Sequence, residues 1–460
     1  MPLTPQAAIP PLVHAVLNEI HRLCHPIYLS GEFLHRCLSN QPLPDELEIL
    51  TPNSLVELRP KLIQAGLIAA NHGMNDHLQH RLLIPIRNQT APKAIEMTHF
   101  TGHVIDDLNV RDITINAMAW CWPNGPLIDP FLGLQDLAQK RIRLVHGLAT
   151  LEQDPLNALR FFRFMLQLPG EPDAEDWQAI ENGSLSHVAK DRLRAEMDQV
   201  LTLPLQDSRS QRYLLRLFKT PSGSHILPEL ANMQNIPHGN DDARTAWDHV
   251  MEMTLAIAPP EEGEEVTLLD LRWAALLHEV GRGLPAMMAV DNPAMIRHAS
   301  HQLVQTILTR LHFSRRRQRR IRLLLQYMDL SLALSDRALR RMIDRRIPVE
   351  GVFRLIKAKA SSCRQVPAND LKRIQDEYQR VMQRCRVIRT QMEQLHVKDL
   401  ALSGGEVADM VRLPPGPWIR QVQSYLVEWV GTDMRRNKRD TLQLCVREWI
   451  VQHAILSSQK

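Results

Sequence analysis

Arginines at positions 315 to 320 give this 460-residue chain a dense group of like charges, and the chemistry of that group is phosphate binding. Few acidic residues lie between positions 310 and 346, where the pattern favours helices. Guanidinium groups attract phosphates, and the counterions that binding releases favour association with nucleic acid. The alternative is a solvated helix face with no anionic partner. The residues predicted to bind RNA are Arg315, Arg316, Arg317, Arg319 and Arg320.

A second informative stretch runs from residue 106 to residue 164 and contains DDLNVRDITINAM, IDPFLGLQDL and QDPLNALRFFRF at close spacing. Each piece mixes charged and apolar residues in a way that neither an ordinary strand nor an ordinary helix needs. Arg111 and Asp112 suggest an ion pair, which the alternating residues 113 to 115 follow. This pattern predicts a polar cluster at the edge of a half-buried element.

In order and spacing, these blocks resemble motifs of the bacterial CCA-adding tRNA nucleotidyltransferase and poly(A) polymerase family, RRDFTINA, DPFGGLxDL and EDxxRxLRxxRF. The matching residues are Arg111, Asp112, Thr114, Asn116 and Ala117, then Asp129, Pro130, Phe131, Gly133, Asp136 and Leu137, then Asp154, Pro155, Leu156, Leu159, Arg160, Arg163 and Phe164. Three ordered blocks are far more specific than one. The resemblance implies an α+β fold, with a polymerase-β-like nucleotidyltransferase head followed by an all-helical neck, body and tail.

The resemblance also places the catalytic carboxylates at Glu46 and Glu48. The family has a strand, a GGxVRD turn and a second strand with Asp-x-Asp, which correspond here to residues 27–38 and 44–51. A spacing of two directs both side chains to one side of a strand. Carboxylates so placed hold Mg²⁺, or Mn²⁺, which neutralises a triphosphate and activates the attacking 3'-hydroxyl. Two solvated glutamates on an edge strand are the alternative, and a slipped register would bring in Asp45.

The resemblance further implies a nucleotide pocket that departs from the family pattern. Leu34 and His35 stand where the glycine turn has Arg-Asp, and Asn157 stands where the third block has arginine. Neither leucine nor asparagine reproduces a planar guanidinium. The implied nucleotide-binding residues are Ser30, Gly31, Arg111, Asp112, Asn116, Asp154, Asn157, Arg160 and Arg163. Asp129 and Asp136 would belong to a flexible block that accommodates the change of base.

Two functions therefore stay open at this point. One is Mg²⁺-dependent addition of nucleotides from CTP or ATP to the 3' end of tRNA or another structured RNA. The other is an RNA-binding protein that kept the fold and lost efficient chemistry. The altered residues do not separate CCA addition from poly(A) addition.

A third hypothesis comes from residues 243 to about 345, which resemble an HD-type helical domain attached to some bacterial members of the family. The matching residues are His249, His278 and Glu279, with Glu279 in place of aspartate. Imidazole and carboxylate together chelate a divalent metal that activates water, so a metal-dependent phosphohydrolase is implied. Further candidate ligands are His298, His301 and Asp329. The commoner outcome is buried histidines that are satisfied by hydrogen bonds.

The elements that must position these residues follow from periodicity. Apolar runs between positions 27 and 145 predict the strands IYLS, LEIL, HRLLIPI, AIEMTHF, ITINAMAW and RIRLV, and later patterns predict helices, among them 154–167 and 191–201. Residues 397–430 resemble the family's body and tail, where Trp418, Tyr425 and Trp429 would line a core face or stack with RNA. The predicted division is a head at 1–150, a neck at 151–240, an HD-like domain at 241–369 and a body and tail at 370–460.

Composition limits the remaining classes. Hydrophobic residues make up 44% of the chain, enough for real cores, and no apolar run approaches the roughly 18 residues of a membrane span. Six cysteines without a CxxC pair favour a reduced cytoplasm over a secreted disulfide scaffold. The expected partners are RNA and CTP or ATP, without a membrane.

Overall fold

Six strands near the N-terminus pair into one mixed sheet with the order β3-β4-β2-β1-β5-β6. The strands are β1 Tyr28–Ser30, β2 Glu46–Thr51, β3 Arg81–Pro85, β4 Ala94–His99, β5 Ala119–Cys121 and β6 Leu127–Ile128. The central strand β2 runs antiparallel to β1 and parallel to β4. Four further short strands are β7 Arg141–Ile142, β8 Glu171–Pro172, β9 Pro237–His238 and β10 Asp241–Thr245.

The computed structural model divides into two compact units, Met1–Ala231 and Asn232–Lys460. It describes residues 5–69, 81–86, 91–205, 207–238, 241–261, 266–288, 290, 292–331, 333–362, 368–394, 397–411, 416–431 and 434–457. His80 of one predicted strand and Cys363 lie outside these ranges. The finer division into four parts stays a prediction.

Helices supply most of the remaining structure. Those of the first unit are α1 Pro11–Leu23, α2 Gly31–Leu38, α3 Leu55–Gln64, α4 Val104–Asn109, α5 Gly133–Gln139, α6 Leu148–Gln153, α7 Asn157–Gln167, α8 Ala174–Glu181, α9 Lys190–Thr202, α10 Ser208–Lys219, α11 Pro221–Ile226 and α12 Pro228–Ala231. Those of the second unit are α13 Ala246–Ala256, α14 Leu268–Leu277, α15 Pro293–Arg310, α16 Arg315–Tyr327, α17 Asp336–Asp344, α18 Val349–Ser362, α19 Ala368–Gln394, α20 Gly404–Val411, α21 Pro417–Gly431 and α22 Arg439–Ser457.

The core of the head lies between the sheet and α1 to α3. Helix α1 buries Val13, Leu17 and Ile20, which recur at helical spacing and so form one apolar stripe. This stripe belongs to the same buried cluster as Leu47 and Ile49 of β2. Because one face of β2 is committed to this core, its polar residues are left to the other face.

Two strand predictions were wrong in part. Within ITINAMAW, Thr114–Asn116 forms a 3₁₀ turn, and only Ala119–Cys121 pairs in the sheet. The turn forms because its polar side chains bond inside the protein, with the Thr114 hydroxyl donating to Asp136 at 2.7 Å. Within RIRLV, only Arg141–Ile142 is a strand, and it pairs with Glu171–Pro172. The helix predicted from Asp154 begins at Asn157, because Asp154 itself is extended.

Helices α20 to α22 form a separate apolar cluster around Leu402, Val422 and Leu426. Trp418, Tyr425 and Trp429 are partly buried against this cluster. Of the two roles considered for these aromatic residues, the structure supports the core face. No described helix is both long enough and apolar enough to cross a membrane, and the five described cysteines are free thiols.

Candidate active site

Strand β2 carries Glu46 and Glu48 on the face opposite the buried Leu47 and Ile49, as the two-residue spacing predicts. The parallel register with β4 sets Glu96 directly beside Glu48. Burial raises the pKa of Glu96; Arg81, at 3.0 Å, opposes the rise, whereas the carboxylates of Glu48 and Glu46 add to it. Three carboxylates therefore share this face. Sequence reasoning missed Glu96, for which the available signal was a lone acid in the apolar strand AIEMTHF.

The turn between β1 and α2 leaves room for the carboxylate of Glu48. Gly31 has a φ of +65°, and a Cβ atom at this position would lie 2.2 Å from Oε2 of Glu48. Only glycine allows both this backbone and this close approach. Ser30 is fully buried and donates its hydroxyl to the carbonyl of Met118 at 2.8 Å. Ser30 was predicted to bind nucleotide, and its hydroxyl is used in this bond within the protein.

Arg111 binds the carboxylate of Glu48 through both ends of its guanidinium, at 3.1 and 2.7 Å. It also donates twice to Asp107, at 3.1 and 2.7 Å. Burial works to lower the pKa of Arg111, but Glu48 and Asp107 more than offset it, and the pKa lies above its usual range. The prediction that Arg111 forms an ion pair with Asp112 is therefore wrong. The nearest acidic residue in sequence is not the partner, because Glu48 and Asp107 are the acids that face the guanidinium.

Asp112 has a local structural role instead. Its carboxylate accepts the backbone N–H of Ile113 at 2.8 Å and the side-chain amide of Asn116 at 3.4 Å. Asn116 is buried. Both residues were predicted to bind nucleotide, and here they hold the 3₁₀ turn behind Arg111.

The donor set of the shared face fits a hard divalent cation. Glu46, Glu48 and Glu96 offer only carboxylate oxygens, the ligands that Mg²⁺ prefers. Burial is the main cause of the raised pKa of Glu96, and the nearby carboxylates of Glu48 and Glu46 add to the rise. Glu48 is turned onto Arg111 and Glu96 onto Arg81 in this structure. A cation would thus compete with Arg111 for the oxygens of Glu48.

Asp129 and Asp136 both accept hydrogen bonds from within the protein. Asp129 accepts the backbone N–H groups of Gly133 and Leu134, at 2.7 and 3.0 Å, at the start of α5. Asp136 is fully buried and, besides the Thr114 hydroxyl, accepts Arg141 at 2.7 Å and Arg143 at 3.1 Å. All of these carboxylate contacts lie within the protein, and the role of this block in the change of base stays a prediction.

Residues of the third block form a second polar group, around the start of α7. Asp154 accepts from Arg192 at 2.7 Å and lies 3.7 Å from Arg160. Arg163 donates to Glu196 of α9. Asn157 is buried; its amide donates to the carbonyl of Thr150 at 3.1 Å, and its oxygen accepts from Arg160 at 3.0 Å. Asn157 is therefore engaged inside the protein, whereas Asp154 and Arg160 remain partly exposed.

The five arginines of α16 that were predicted to bind RNA divide into two sets. Arg317 and Arg320 donate to the buried carboxylate of Asp270, at 3.0 and 2.6 Å. Arg315, Arg316 and Arg319 are exposed. The predicted RNA-binding surface thus includes two residues whose bonds fasten α16 to α14.

The HD-like residues do come together, with an additional histidine that sequence reasoning missed. His238, His249 and Glu279 bring potential ligand atoms within 4.8 Å of one another. Nε2 of His278 lies 3.2 Å from Nε2 of His249, and His238 lies 3.2 Å from the Glu279 carboxylate. His238 stands at the end of a two-residue strand in a turn-rich segment, which carries no motif.

Charge in this cluster is balanced by protein groups. Burial lowers the pKa of His249 to about 2 and also lowers that of His278. Burial acts to raise the pKa of Glu279, but hydrogen bonding to His238 and the nearby positive charges lower it overall. Arg282 pairs with Glu279 at 2.7 Å, and Arg244 donates to His249 at 3.1 Å. This geometry favours histidines satisfied by hydrogen bonds over an open metal site.

The further candidate ligands are divided. His301 and Asp329 line a cavity of about 100 Å³ together with His278 and Glu279. Asp329 is paired with Lys359 and Arg297, both at 2.8 Å. His298 is exposed. The phosphohydrolase stays a prediction, and the comparisons below give it no support.

Comparison with known proteins gives one consistent family. The family model described as the poly A polymerase head domain matches residues 69–143. An A-adding tRNA nucleotidyltransferase of Deinococcus radiodurans is 30% identical over 338 residues, 70% of this chain and 74% of the relative. A multifunctional CCA protein of Stenotrophomonas maltophilia (strain K279a) is 32% identical over 191 residues, 39% of this chain and 44% of the relative.

Solved structures agree in fold. The CCA-adding enzyme of Bacillus stearothermophilus aligns over 97% of this chain and 99% of its own, with a TM-score of 0.59 and 17% identity. That of Thermotoga maritima covers 97% and 98%, with a TM-score of 0.50 and 17% identity. The fold is α+β, with a polymerase-β-like head followed by a predominantly helical body. Its motifs, its sheet and its similarity to the Deinococcus protein show that this chain belongs to the tRNA nucleotidyltransferase family of CCA-adding enzymes and poly(A) polymerases.

Proposed function

We propose that this protein adds nucleotides from CTP or ATP to the 3' end of tRNA or another structured RNA. The observation that carries the proposal is the set of three carboxylates on β2 and β4 beside the Gly31 turn and Arg111. Family membership supports it. So do the complexes of structurally similar CCA-adding enzymes with CTP, with ATP and with tRNA.

In this reaction the 3'-hydroxyl of the RNA attacks the α-phosphorus of the nucleotide. A new phosphodiester forms, the bond to the β-phosphate breaks, the hydroxyl proton is lost, and pyrophosphate leaves. Glu46, Glu48 and Glu96 would hold the divalent metal, Mg²⁺ or Mn²⁺. When bound, such a metal neutralises the triphosphate and activates the attacking hydroxyl.

Arg111 would have different partners before and after the metal and the nucleotide bind. Its guanidinium holds Glu48 in this structure. A guanidinium fork also suits phosphate oxygens. In our proposal, Arg111 leaves Glu48 when the carboxylates take up their cation, and it then meets the charge of the triphosphate. Asp154, Arg160 and Arg163 would contact the base, while Asn157 would position Arg160.

The test is incorporation of labelled CTP and ATP into tRNAs that lack CCA, CA or only the terminal A, with Mg²⁺ and then Mn²⁺. Addition that is lost in Glu46→Gln/Glu48→Gln supports the proposal. Salt-sensitive tRNA binding without any addition by the wild type would overturn it in favour of an RNA-binding protein that has lost efficient chemistry.

A narrower version is addition of A alone, which the relative from Deinococcus radiodurans favours because it is named as an A-adding enzyme. The same three tRNAs separate the cases. An A-adding enzyme extends only the tRNA that lacks the terminal A, whereas a CCA-adding enzyme completes all three. A cytoplasmic location would accompany either activity.

A further inference from the structure

The first two turns of α16 border a cavity of about 610 Å³ that is rich in arginine. Arg316, Arg319, Arg320 and Leu323 line it from the helix, and Arg346 and Pro348 line it from the turn between α17 and α18. Elements separated in sequence thus direct positive charge into one space. Cavities of about 300–1,000 Å³ accommodate groups of ligand size.

Asp270 fixes the position of α16, which forms one wall of the cavity. It is 1% exposed as a side chain and accepts from Arg317 and Arg320 at 3.0 and 2.6 Å. These bonds join α16 to α14 and use up the buried carboxylate. Arg316, Arg319 and Arg346 are exposed, and none of them pairs with an acid in the part of the chain that the structure describes.

Two charge arrangements at the start of α16 are unfavourable without an anion, and the backbone at Arg346 is unusual. Cations in the first turn of α16 face the positive end of the helix dipole, which is unfavourable. Arg315 and Arg319 are like charges four residues apart on one helix. Arg346 adopts a φ of +56° just after α17, a position where glycine usually stands.

We infer that this cavity binds backbone phosphate of the RNA. The inference rests on the proposed function only in taking RNA as the partner. A phosphodiester would neutralise the unpaired guanidiniums through charge-assisted bonds. Leu323 and Pro348 offer an apolar surface for the sugar. The proposed phosphate-binding residues are Arg316, Arg319 and Arg346, whereas Arg317 and Arg320 fix the position of α16.

The experiment compares two full-length variants with equal charge loss. Arg316→Gln/Arg319→Gln/Arg346→Asn empties the cavity of its unpaired cations, and asparagine tolerates the backbone at 346. The control, Arg337→Gln/Arg341→Gln/Arg345→Gln, removes three exposed arginines from α17 and the residue after it, which do not line the cavity. Binding of tRNA without nucleotide is measured between about 50 and 200 mM salt, the range over which phosphate contacts strongly alter affinity. Thermal unfolding checks each fold.

For the cavity variant, the slope of log affinity for tRNA against log salt should become less steep by about 2–3. This variant should also bind tRNA about 10- to 100-fold more weakly at about 150 mM salt. The control variant should change much less in both measurements. The variant Arg316→Lys/Arg319→Lys/Arg346→Lys should retain most of the wild-type slope. Equal losses in both variants, or unchanged binding, would overturn the inference and leave an acidic protein partner to consider. Because nucleotide addition is assayed separately, a wild type that adds nothing would refute the proposed function while this comparison still decides the cavity.

Discussion

Substitution of Arg111 by glutamine removes the guanidinium that joins Glu48 to Asp107. Four hydrogen bonds of 2.7 to 3.1 Å are lost. The three side chains are only 17 to 23% exposed, so the two carboxylates left behind repel each other in a partly desolvated place. Removal of one partner from a buried ion pair costs about 3–5 kcal/mol, and this partial exposure brings our expectation to about 2–4 kcal/mol.

Calorimetry of the full-length protein is the assay, because the chain has two compact units whose transitions can be followed separately. A loss of about 2–4 kcal/mol should lower the melting temperature of the first unit by about 5–15 °C. The control is Arg81→Gln. Arg81 also pairs with a carboxylate of the sheet, but it is 64% exposed, so we expect a loss of about 1 kcal/mol or less.

A combined variant, Arg111→Gln/Glu48→Gln/Asp107→Asn, tests the cause. With both carboxylates neutral, no unpaired charge is left behind, and most of the lost stability should return although nucleotide addition should not. An Arg111→Gln protein as stable as the wild type, or a combined variant no more stable than Arg111→Gln, would refute this account of the cluster.

Three further outcomes are expected. Gly31→Ala should abolish most nucleotide addition and lower stability by about 1–2 kcal/mol, because its Cβ would displace the Glu48 carboxylate and its backbone is left-handed; assay and unfolding on one preparation check both. Burial raises the pKa of Asp176 from 3.8 to about 6. The folded protein therefore loses stability as the pH rises through that range. Denaturation at about pH 4 and pH 7 should show a loss of about 1–3 kcal/mol, and the Asp176→Asn variant should not share this loss. His278→Ala should leave nucleotide addition intact; a phosphoesterase activity of the wild type with a divalent metal that this change removes would revive the phosphohydrolase hypothesis.

Much of the head could be predicted because its strands are short apolar runs between turns. The runs that became β3 and β4 bury alternate residues, which is the pattern that sequence shows directly. The strand prediction for Thr114–Asn116 failed because Thr114 bonds to Asp136, which is 22 residues away, and Asn116 bonds to Asp112. Tertiary hydrogen bonding decided the conformation there, and no local propensity reports it.

The candidate site shows the same limit. Spacing sufficed to place Glu46 and Glu48 on one face. Glu96 joined them only through the parallel register of β2 with β4, which depends on a crossover that the sequence does not specify. His238 reached the HD-like cluster in a comparable way, from outside any motif.

The two arginines missing from the family pattern have been replaced by residues with internal roles. Leu34 is fully buried in the core beneath the sheet, and Asn157 bonds both the carbonyl of Thr150 and the guanidinium of Arg160. Neither position can contribute positive charge to a nucleotide. Arg111 contacts the carboxylate of Glu48 directly, and it stays paired with Glu48 unless another cation takes its place. Chemistry at this site would therefore depend on an exchange of partners by Arg111, and this dependence makes Arg111 the most informative residue to change.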